Sequence, residues 1–443
     1  ELALPYKPQL LITVDNGISS IEGVAAAKQQ GMQVVVTDHH LPGEQLPNAD
    51  VIVNPNQVGD SFLSGNLAGV GVAFYLVCAV RQALQSDFNP ATLLDLVAVG
   101  TVADVVQLDQ NNRVLVTQGI QRIRQGHSSP GISALLEVAG KESQRVVASD
   151  FGFGVGPRIN AAGRMTEMGA GIDCLLAESI GEAQPQAQAL DQINRQRREV
   201  EGEMREEAEL IIESLHMDES SVPAGIALYQ PHWHEGVIGI VAGRIKEQLH
   251  RPTVVFAKGE DGLLKGSARS IPGVHLRDLI DLLDKQQPGM IIKFGGHAMA
   301  AGLSIREDDF DRFHQSYHDL VEATVHQDLL QELLQTDGGL SSKQRSLAVA
   351  AELQQAGPWG QGFPEPLFHD GFILDGWRIV GERHLKLQLR DCESGERFDA
   401  IAFNQSETVL PEQGGMVDLV YRLDINRWQG RESLQLMVSA ILC

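Results

Sequence analysis

The first apolar segments of the chain have the pattern of two buried strands joined by a helix. Residues 10–14 and 34–36 form short apolar runs, and the second run is β-branched and bounded by Gly31 and Pro42. Residues 19–30 between them carry apolar side chains at helical spacing, and Gly31 stands where a helix C-cap is expected. The pattern therefore predicts a strand–helix–strand unit with a right-handed crossover.

The pattern changes three times along the rest of the chain. Residues 182–215 have the spacing of one long, charged helix, and residues 216–223 form a polar linker. Apolar runs and helical patterns alternate again over residues 224–330, which predicts a second α/β domain. The last segment, residues 345–443, alternates apolar and polar side chains with period two, and its strand count and length fit a five-stranded OB-type barrel. We therefore predict an α/β fold with a parallel-sheet domain at 1–181, a connecting helix, a smaller α/β domain and a C-terminal β-barrel.

The amino-acid composition argues against several classes of protein. Hydrophobic residues make up 43% of the 443 residues, which is ordinary for a globular chain, and no apolar run approaches the length of about 18 residues that spans a membrane. The four cysteines, at positions 78, 174, 392 and 443, form no Cys-x-x-Cys pair. This spacing argues against a zinc ribbon and a disulfide framework and fits a reducing cytoplasm, where we expect the protein.

Candidate metal ligands follow both strands of the first unit. Asp15 comes directly after the first strand, and Asp38, His39 and His40 follow the second. Because parallel strands end at the same edge of a sheet, these side chains should lie close together. Carboxylate and imidazole groups suit Mn²⁺, Mg²⁺ or Zn²⁺. The alternative is a polar loop after a strand, since Asp-Asn-Gly at residues 15–17 is also an ordinary turn signal.

A third carboxylate belongs to an apolar segment further on. Asp104 is the only charged residue between Asp95 and Asp109, and it follows a run that predicts a buried helix. A lone carboxylate in such surroundings is either paired or a ligand. A helix cap is the other interpretation, and we favour the ligand.

Four ordered motifs and one further stretch carry a resemblance to a known family. They are Val-Asp-Asn-Gly at 14–17, Thr-Asp-His-His at 37–40, Thr-Val-Ala-Asp at 101–104, Gly-Pro-Arg-Ile-Asn-Ala-Ala-Gly-Arg at 156–164 and Gly-Gly-His-Ala-Met-Ala-Ala-Gly at 295–302. In these residues the chain resembles the DHH phosphoesterase superfamily and, within it, the RecJ family of bacterial single-strand-specific DNA exonucleases. The resemblance covers essentially the whole chain.

The resemblance implies a metal-dependent 5′ to 3′ exonuclease of DNA repair and recombination. Two Mn²⁺ or Mg²⁺ ions are implied, with Asp15, His39 and Asp104 as ligands, His40 at the scissile phosphate and Asp38 orienting the imidazoles. The small residues around Arg269 predict a loop, and glycines and an arginine fork also suit phosphate binding on general grounds. The residues implied at the 5′-terminal phosphate are Ser267, Arg269 and His297, with Arg158 and Arg164 as weaker candidates.

The sequence departs from the family pattern at its start. Members of the superfamily carry an earlier strand that ends in an Asp-x-Asp motif, and no such motif stands before Asp15. We therefore expect a fragment that lacks its N-terminal part, with one tight metal site at most and little activity.

The negative net charge affects which binding partner we expect for the chain. A formal net charge of −23 is unusual for a nucleic-acid-binding protein, but it is compatible with a narrow basic channel that admits one strand and repels duplex. Candidate channel cations are Arg122, Arg124, Arg158, Arg164, Arg195, Arg197 and Arg198, although a solvated helix face is the preferred interpretation for the last three. The barrel could add a stacking groove, although aromatic side chains at strand positions more often belong to the core. The candidate residues are Trp377, Arg383, Lys386, Tyr421, Arg422, Arg427 and Trp428.

The expected partner is single-stranded DNA, and the resemblance adds a single-strand-binding protein and a helicase. We expect a monomer without membrane association. Two rival functions remain, namely a DHH phosphodiesterase of short RNA or cyclic dinucleotides and a non-catalytic DNA-binding relative. The barrel argues against the first. The aspartate and histidine set argues against the second, whereas the absent Asp-x-Asp motif argues for it.

Overall fold

The computed structural model describes residues 2–214, 222–381, 383–406, 408–428 and 430–442. The chain forms two compact units, the first made of Glu1–Pro157, Cys174–Ala187 and Gln335–Cys443 and the second of Arg158–Asp173 and Gln188–Leu334. Residue 215, most of the predicted linker and the side chain of Trp428 lie outside the described residues.

A three-stranded parallel sheet opens the first unit. Its strands are β1 (Leu10–Val14), β2 (Gln33–Thr37) and β3 (Val51–Val53), in the order β1-β2-β3, and α1 (Ile21–Gln29) connects the first two. The predicted strand–helix–strand unit is therefore confirmed, whereas the three-residue β3 was not predicted. Thr37 is paired with Val14 on one side and Val53 on the other. All three strands consequently end in line at one edge of the sheet.

The other regular elements that the structure describes between the first sheet and the second unit's sheet are helices, which are joined by loops. Those of the first unit pack closely, and a methyl group at Gly119 would lie 2.3 Å from the carbonyl oxygen of Leu94. The predicted long helix is present as the last of the series. The helices are α2 (Gly69–Ala83), α3 (Leu94–Ala103), α4 (Gln110–Arg124), α5 (Pro130–Val138), α6 (Ala148–Asp150), α7 (Gly156–Met165), α8 (Gly169–Leu176) and α9 (Ile180–Ser214).

The second unit is built on a mixed sheet in the order β4-β5-β6-β8-β7. β4 and β5 are parallel and joined by α10, and the other pairs are antiparallel. Its elements are β4 (Ile226–Tyr229), α10 (Ile238–Leu249), β5 (Thr253–Lys258), β6 (Leu264–Arg269), α11 (Leu276–Gln286), β7 (Ile291–Gly296), β8 (Ala300–Ile305) and α12 (Phe310–Thr324).

The expectation of a loop around Arg269 is wrong, because Arg269 is the last residue of β6. Its small neighbours suggested a loop, yet they alternate between buried and half-buried positions along the strand. Small residues fit there because a methyl group at Gly266 would lie 2.5 Å from the ring of Phe256 on the adjacent strand.

The C-terminal segment closes into the predicted five-stranded barrel, in the order β10-β11-β13-β12-β9. After α13 (Leu347–Ala356), its strands are β9 (Phe368–Val380), β10 (His384–Asp391), β11 (Arg397–Ala402), β12 (Met416–Trp428) and β13 (Arg431–Leu442). Trp377 is 52% exposed, as a stacking residue requires, whereas the side chain of Tyr421 is fully buried and belongs to the core, the more frequent position of a strand aromatic. Period two shows that faces alternate but not which face is inside.

The segment that leads into the barrel contacts the end of the helical region. The amide of Leu108 donates a hydrogen bond to the carbonyl of Gln361 at 2.7 Å. The guanidinium of Arg113 lies 4.0 Å from the centre of the Phe363 ring. The segment just before the barrel therefore contacts the chain only a few residues after Asp104.

Among the described residues, no helix combines the length and the apolar character needed to cross a membrane.

Candidate active site

Polar residues follow each of the three parallel strands of the first unit. Asp15, Asp38 and Asn54 stand one residue beyond β1, β2 and β3. Since the register brings the three strand ends together, these side chains meet at the carboxyl edge of the sheet, where open α/β sheets bind their ligands.

Asp38 organises this edge from a buried position. Its side chain is almost fully buried, and one carboxylate oxygen accepts hydrogen bonds from the amides of His39 and His40, while the other accepts from the amide of Ile18. Burial raises the pKa of the Asp38 carboxyl, but the hydrogen bonds outweigh burial and the pKa lies below its usual value. Asp38 is therefore a fixed negative charge that shapes the loop after β2.

The ring of His40 is held by the same carboxylate. Nδ1 of His40 lies 2.7 Å from Oδ1 of Asp38, and this hydrogen bond raises the pKa of His40. The other ring nitrogen, Nε2, stays available for a ligand. Asp38 contacts only the backbone of His39, so of the two imidazoles it orients that of His40.

His39 faces two further carboxylates. Its Nε2 atom lies 3.1 Å from Oδ1 of Asp15 and 3.4 Å from Oδ2 of Asp104. The Nε2 atom is buried and makes no hydrogen bond of acceptable geometry in the described structure. Asp15, His39 and His40 each offer one ligand atom, and these three atoms lie within 4.8 Å of one another. A buried imidazole nitrogen that faces two carboxylates without a hydrogen bond is a donor set that fits a divalent cation.

Unusual backbone conformations occur at Asp15 and directly after Asp104. Asp104 caps the C-terminus of α3, and burial raises the pKa of its carboxyl. The next residue, Val105, has φ 59°, and Asp15 has φ 57°. The left-handed region is tolerated by aspartate but disfavoured for a β-branched residue such as valine. Such strain is characteristic of functional sites, where the surrounding structure fixes a side chain in place.

Sequence reasoning missed several residues that support the site. Asn54 donates from its side chain to the carbonyl of His40 at 2.9 Å, and Asn56 donates to that of His39 at 2.6 Å. Asn-Pro-Asn directly after the short apolar run 51–53 was the available signal. A methyl group at Gly69 would lie 2.2 Å from Oδ1 of Asp15, which no sequence pattern indicates.

A second polar cluster lies in the second unit, at the start of α10. Ser267 and Arg269 share one face of β6, and Nη1 of Arg269 donates to Oγ of Ser267 at 3.1 Å. Burial and the neighbouring guanidinium of Arg164 lower the pKa of Arg269. The exposed His297 follows β7 in the turn beside the end of β6, because the amide of Ser270 bonds to Met299 in that turn. Clustered guanidiniums near a hydroxyl are suited to an anion.

The other arginines singled out in the sequence differ in environment. Arg158 is buried and paired with Asp191, with Nη2 2.8 Å from Oδ1. The preferred interpretation of Arg197 as a solvated residue is wrong, because it is buried and paired with Glu201 at 2.7 Å. Helical spacing could not reveal this burial, which depends on what packs against α9.

Comparison with known proteins agrees with this architecture. Three family models match, namely the N-terminal domain of the DHH family at residues 2–101, the DHHA1 domain at 223–323 and the RecJ OB domain at 336–440. The single-stranded-DNA-specific exonuclease RecJ of Escherichia coli is 51% identical over 444 residues, which cover 98% of this chain and 77% of the relative. The protein of the same name from Salmonella typhimurium is 50% identical over the same shares of both chains.

A solved structure shows the same fold. RecJ from Thermus thermophilus in complex with Mn²⁺ superposes with a TM-score of 0.83 and 29% identity. The match covers 100% of this chain and 63% of that chain. With its three domain matches and its relatives at about half identity, the chain belongs to the RecJ family of single-stranded-DNA-specific exonucleases.

Proposed function

We propose that this chain carries the metal-binding and DNA-binding parts of an exonuclease that removes nucleotides from the 5′ end of single-stranded DNA. The observation that carries the proposal is the Nε2 atom of His39, which is buried, lacks a hydrogen bond in the described structure and faces two carboxylates. The names of the relatives and the barrel at the C-terminus support single-stranded DNA as the substrate.

Asp15, His39 and Asp104 would hold one Mn²⁺ or Mg²⁺ ion, and Asp15 would also contact a second. When bound, two such ions neutralise the charge that develops on the attacking and leaving oxygens of a phosphodiester. The chain itself supplies a rigid frame for them, since Asp38 and the two asparagines after β3 hold the backbone of the loop that carries both histidines.

His40 would bind the scissile phosphate. Its Nδ1 lies 2.7 Å from Oδ1 of Asp38, which raises the pKa of the ring, and a protonated ring would donate from Nε2. A cationic donor is suited to a non-bridging phosphate oxygen. Asp38 thus positions His40 and stabilises its charge.

The cluster on the second unit would bind the 5′-terminal phosphate. Arg269 offers a fork of donors, and Ser267, His297 and Arg164 add further hydrogen-bonding groups. We assign Arg158 a different role, because its buried ion pair with Asp191 joins α7, which also carries Arg164, to α9. End recognition of this kind gives 5′ to 3′ polarity, which a metal site alone cannot supply.

The overall function can be tested with single-stranded DNA labelled at either end. This test and every other activity measurement use the protein with the expected N-terminal Asp-x-Asp motif joined to it. We expect the protein, supplied with Mn²⁺, to release 5′-terminal mononucleotides first from single strands and to leave blunt duplex largely intact. Cleavage that begins at the 3′ end, or that proceeds equally on duplex, would contradict the proposal.

Loss of the His39 imidazole should weaken metal binding directly. We expect His39→Ala to reduce the affinity for Mn²⁺ by at least about tenfold, since even outer-shell changes at metal sites cost 10- to 100-fold. Titration calorimetry with Mn²⁺ and no DNA measures this without reference to activity. His127→Ala, which removes an exposed imidazole outside the cluster, should keep the original affinity, and equal affinities in both variants would exclude His39 as a ligand.

Loss of the Arg269 guanidinium should reduce the preference for a phosphorylated end. A charge-assisted hydrogen bond contributes roughly 1.5–3 kcal/mol, so Arg269→Ala should lower kcat/KM for a 5′-phosphorylated strand by about one to two orders of magnitude. The loss on a 5′-hydroxyl strand should be smaller. Both substrates are compared at fixed salt, because phosphate contacts are salt-sensitive.

The matched control is Arg277→Ala, which removes an exposed positive charge from the same unit. It should leave the ratio between the two substrates unchanged. Equal losses on both substrates in Arg269→Ala would mean that Arg269 contacts the DNA backbone and not its end.

A further inference from the structure

We propose that Gly239 is a positioning residue for the Arg269 guanidinium and thereby controls how strongly the protein prefers a 5′-phosphorylated strand. The proposal rests on the proposed role of Arg269 at the 5′-terminal phosphate. Gly239 is the second residue of α10, and it lies against the half-buried face of β6 that carries Ser267 and Arg269.

The absence of a side chain at Gly239 leaves the space that the guanidinium occupies. A methyl group at this position would lie 2.8 Å from Nη2 of Arg269 and 2.8 Å from Oγ of Ser267. Both distances are too short for a real carbon contact, so the guanidinium and the hydroxyl would both have to move. The guanidinium can move farther, because it is the far end of a long, flexible side chain.

The direction of the guanidinium matters for its proposed task. Nη1 of Arg269 is committed to Oγ of Ser267 at 3.1 Å and to the carbonyl of Ala268 at 2.8 Å. Nη2, the atom nearest Gly239, has no acceptor among the residues that the structure describes. A guanidinium displaced by a methyl group would keep its charge but lose the orientation that bidentate phosphate binding requires.

Two other glycines of the same region show why a substitution at Gly239 is the best test of the positioning role. A methyl group at Gly236 would lie 2.3 Å from the backbone carbonyl oxygen of Arg164, so a substitution there should disturb the fold itself. Gly243, one turn further along α10, has nothing within 4 Å of the same methyl position and provides the matched control. Alanine also favours a helix more than glycine does, so neither Gly239→Ala nor Gly243→Ala should weaken α10.

The experiment measures kcat/KM for a 5′-phosphorylated and a 5′-hydroxyl single-stranded oligonucleotide at fixed salt, with thermal denaturation of each variant. We expect Gly239→Ala to lower the preference for the phosphorylated strand by about tenfold, the loss of one charge-assisted contact. Gly243→Ala should keep the original preference. The double variant Gly239→Ala/Arg269→Ala should show no lower preference than Arg269→Ala alone, because the two changes act through one group.

Each contrary result has a distinct meaning. If the preference falls in Arg269→Ala but not in Gly239→Ala, or if the two losses add, the positioning role is wrong and the proposed function stands. If Arg269→Ala itself keeps the preference, end recognition by Arg269 is wrong and the positioning role fails with it. A Gly239→Ala protein that does not fold would show that the methyl group displaces the backbone and not the guanidinium, which also overturns the inference.

Discussion

Replacement of Asp104 by asparagine should reduce the cleavage of single-stranded DNA by about two to three orders of magnitude. Loss of one charged metal ligand removes several kcal/mol of charge stabilisation, and each factor of ten corresponds to about 1.4 kcal/mol. Asparagine keeps the size of the side chain and its position at the end of α3, so the fold should persist. Cleavage is measured with Mn²⁺ present, and DNA affinity is measured without metal, where it should change little.

Asp109 provides the matched control for this experiment. It is the N-cap of α4, and its carboxylate accepts hydrogen bonds from the amide of Asn112 and from Oγ of Ser64. Asparagine is an equally good N-cap, so Asp109→Asn should cleave at nearly the original rate. If Asp104→Asn remained within a few-fold of the unaltered protein, Asp104 would be a helix cap and not a ligand.

The second large effect concerns the stability of the barrel. Arg345 is almost fully buried, and its guanidinium pairs with Asp391 and, at 3.1 Å, with Asp370. Asp370 also accepts a hydrogen bond from the hydroxyl of Tyr421 at 2.6 Å. Breaking a buried ion pair leaves an uncompensated charge, so Arg345→Met should lower the free energy of unfolding of the barrel by about 3–5 kcal/mol.

Hydrogen exchange of amides in β9 to β13 measures this free energy locally, and calorimetry follows the same transition. Arg397→Met is the control, because its side chain is 82% exposed and its contact with Asp375 is 3.4 Å long. Exposed pairs contribute about 0–1 kcal/mol. If exchange in the barrel changed equally in both variants, the buried network would contribute no more than a surface pair.

The sequence was most informative where one physical pattern decides the structure. Short β-branched runs predicted β1 and β2, and clean alternation predicted the barrel. The active-site edge followed from these strands, since parallel strands must end together, and Asp15 and the Asp-His-His run then had to be neighbours. The isolated charge of Asp104 added the third carboxylate, because a lone carboxylate in an apolar segment is either paired or a ligand.

The features that the sequence did not reveal depend on packing between distant segments. The strand position of Arg269 follows from its pairing with β5 and β8. Small residues alone do not predict this pairing. Tyr421 turned out to be buried and Arg197 paired, and neither outcome can be decided before the facing elements are known. At Gly69 and Gly239 the missing side chain leaves room for Asp15 and Arg269, a property that exists only in the folded chain.

At Val105, a left-handed backbone conformation that lowers the stability of the protein also serves the candidate active site. A β-branched residue in this region costs on the order of 1–3 kcal/mol, and glycine would recover much of that free energy. The same change would loosen the backbone that fixes the Asp104 carboxylate opposite His39. Directed evolution that selects for heat tolerance alone would therefore tend to accept glycine there and lose the placement of the Asp104 carboxylate, so this residue should be held constant when the protein is engineered.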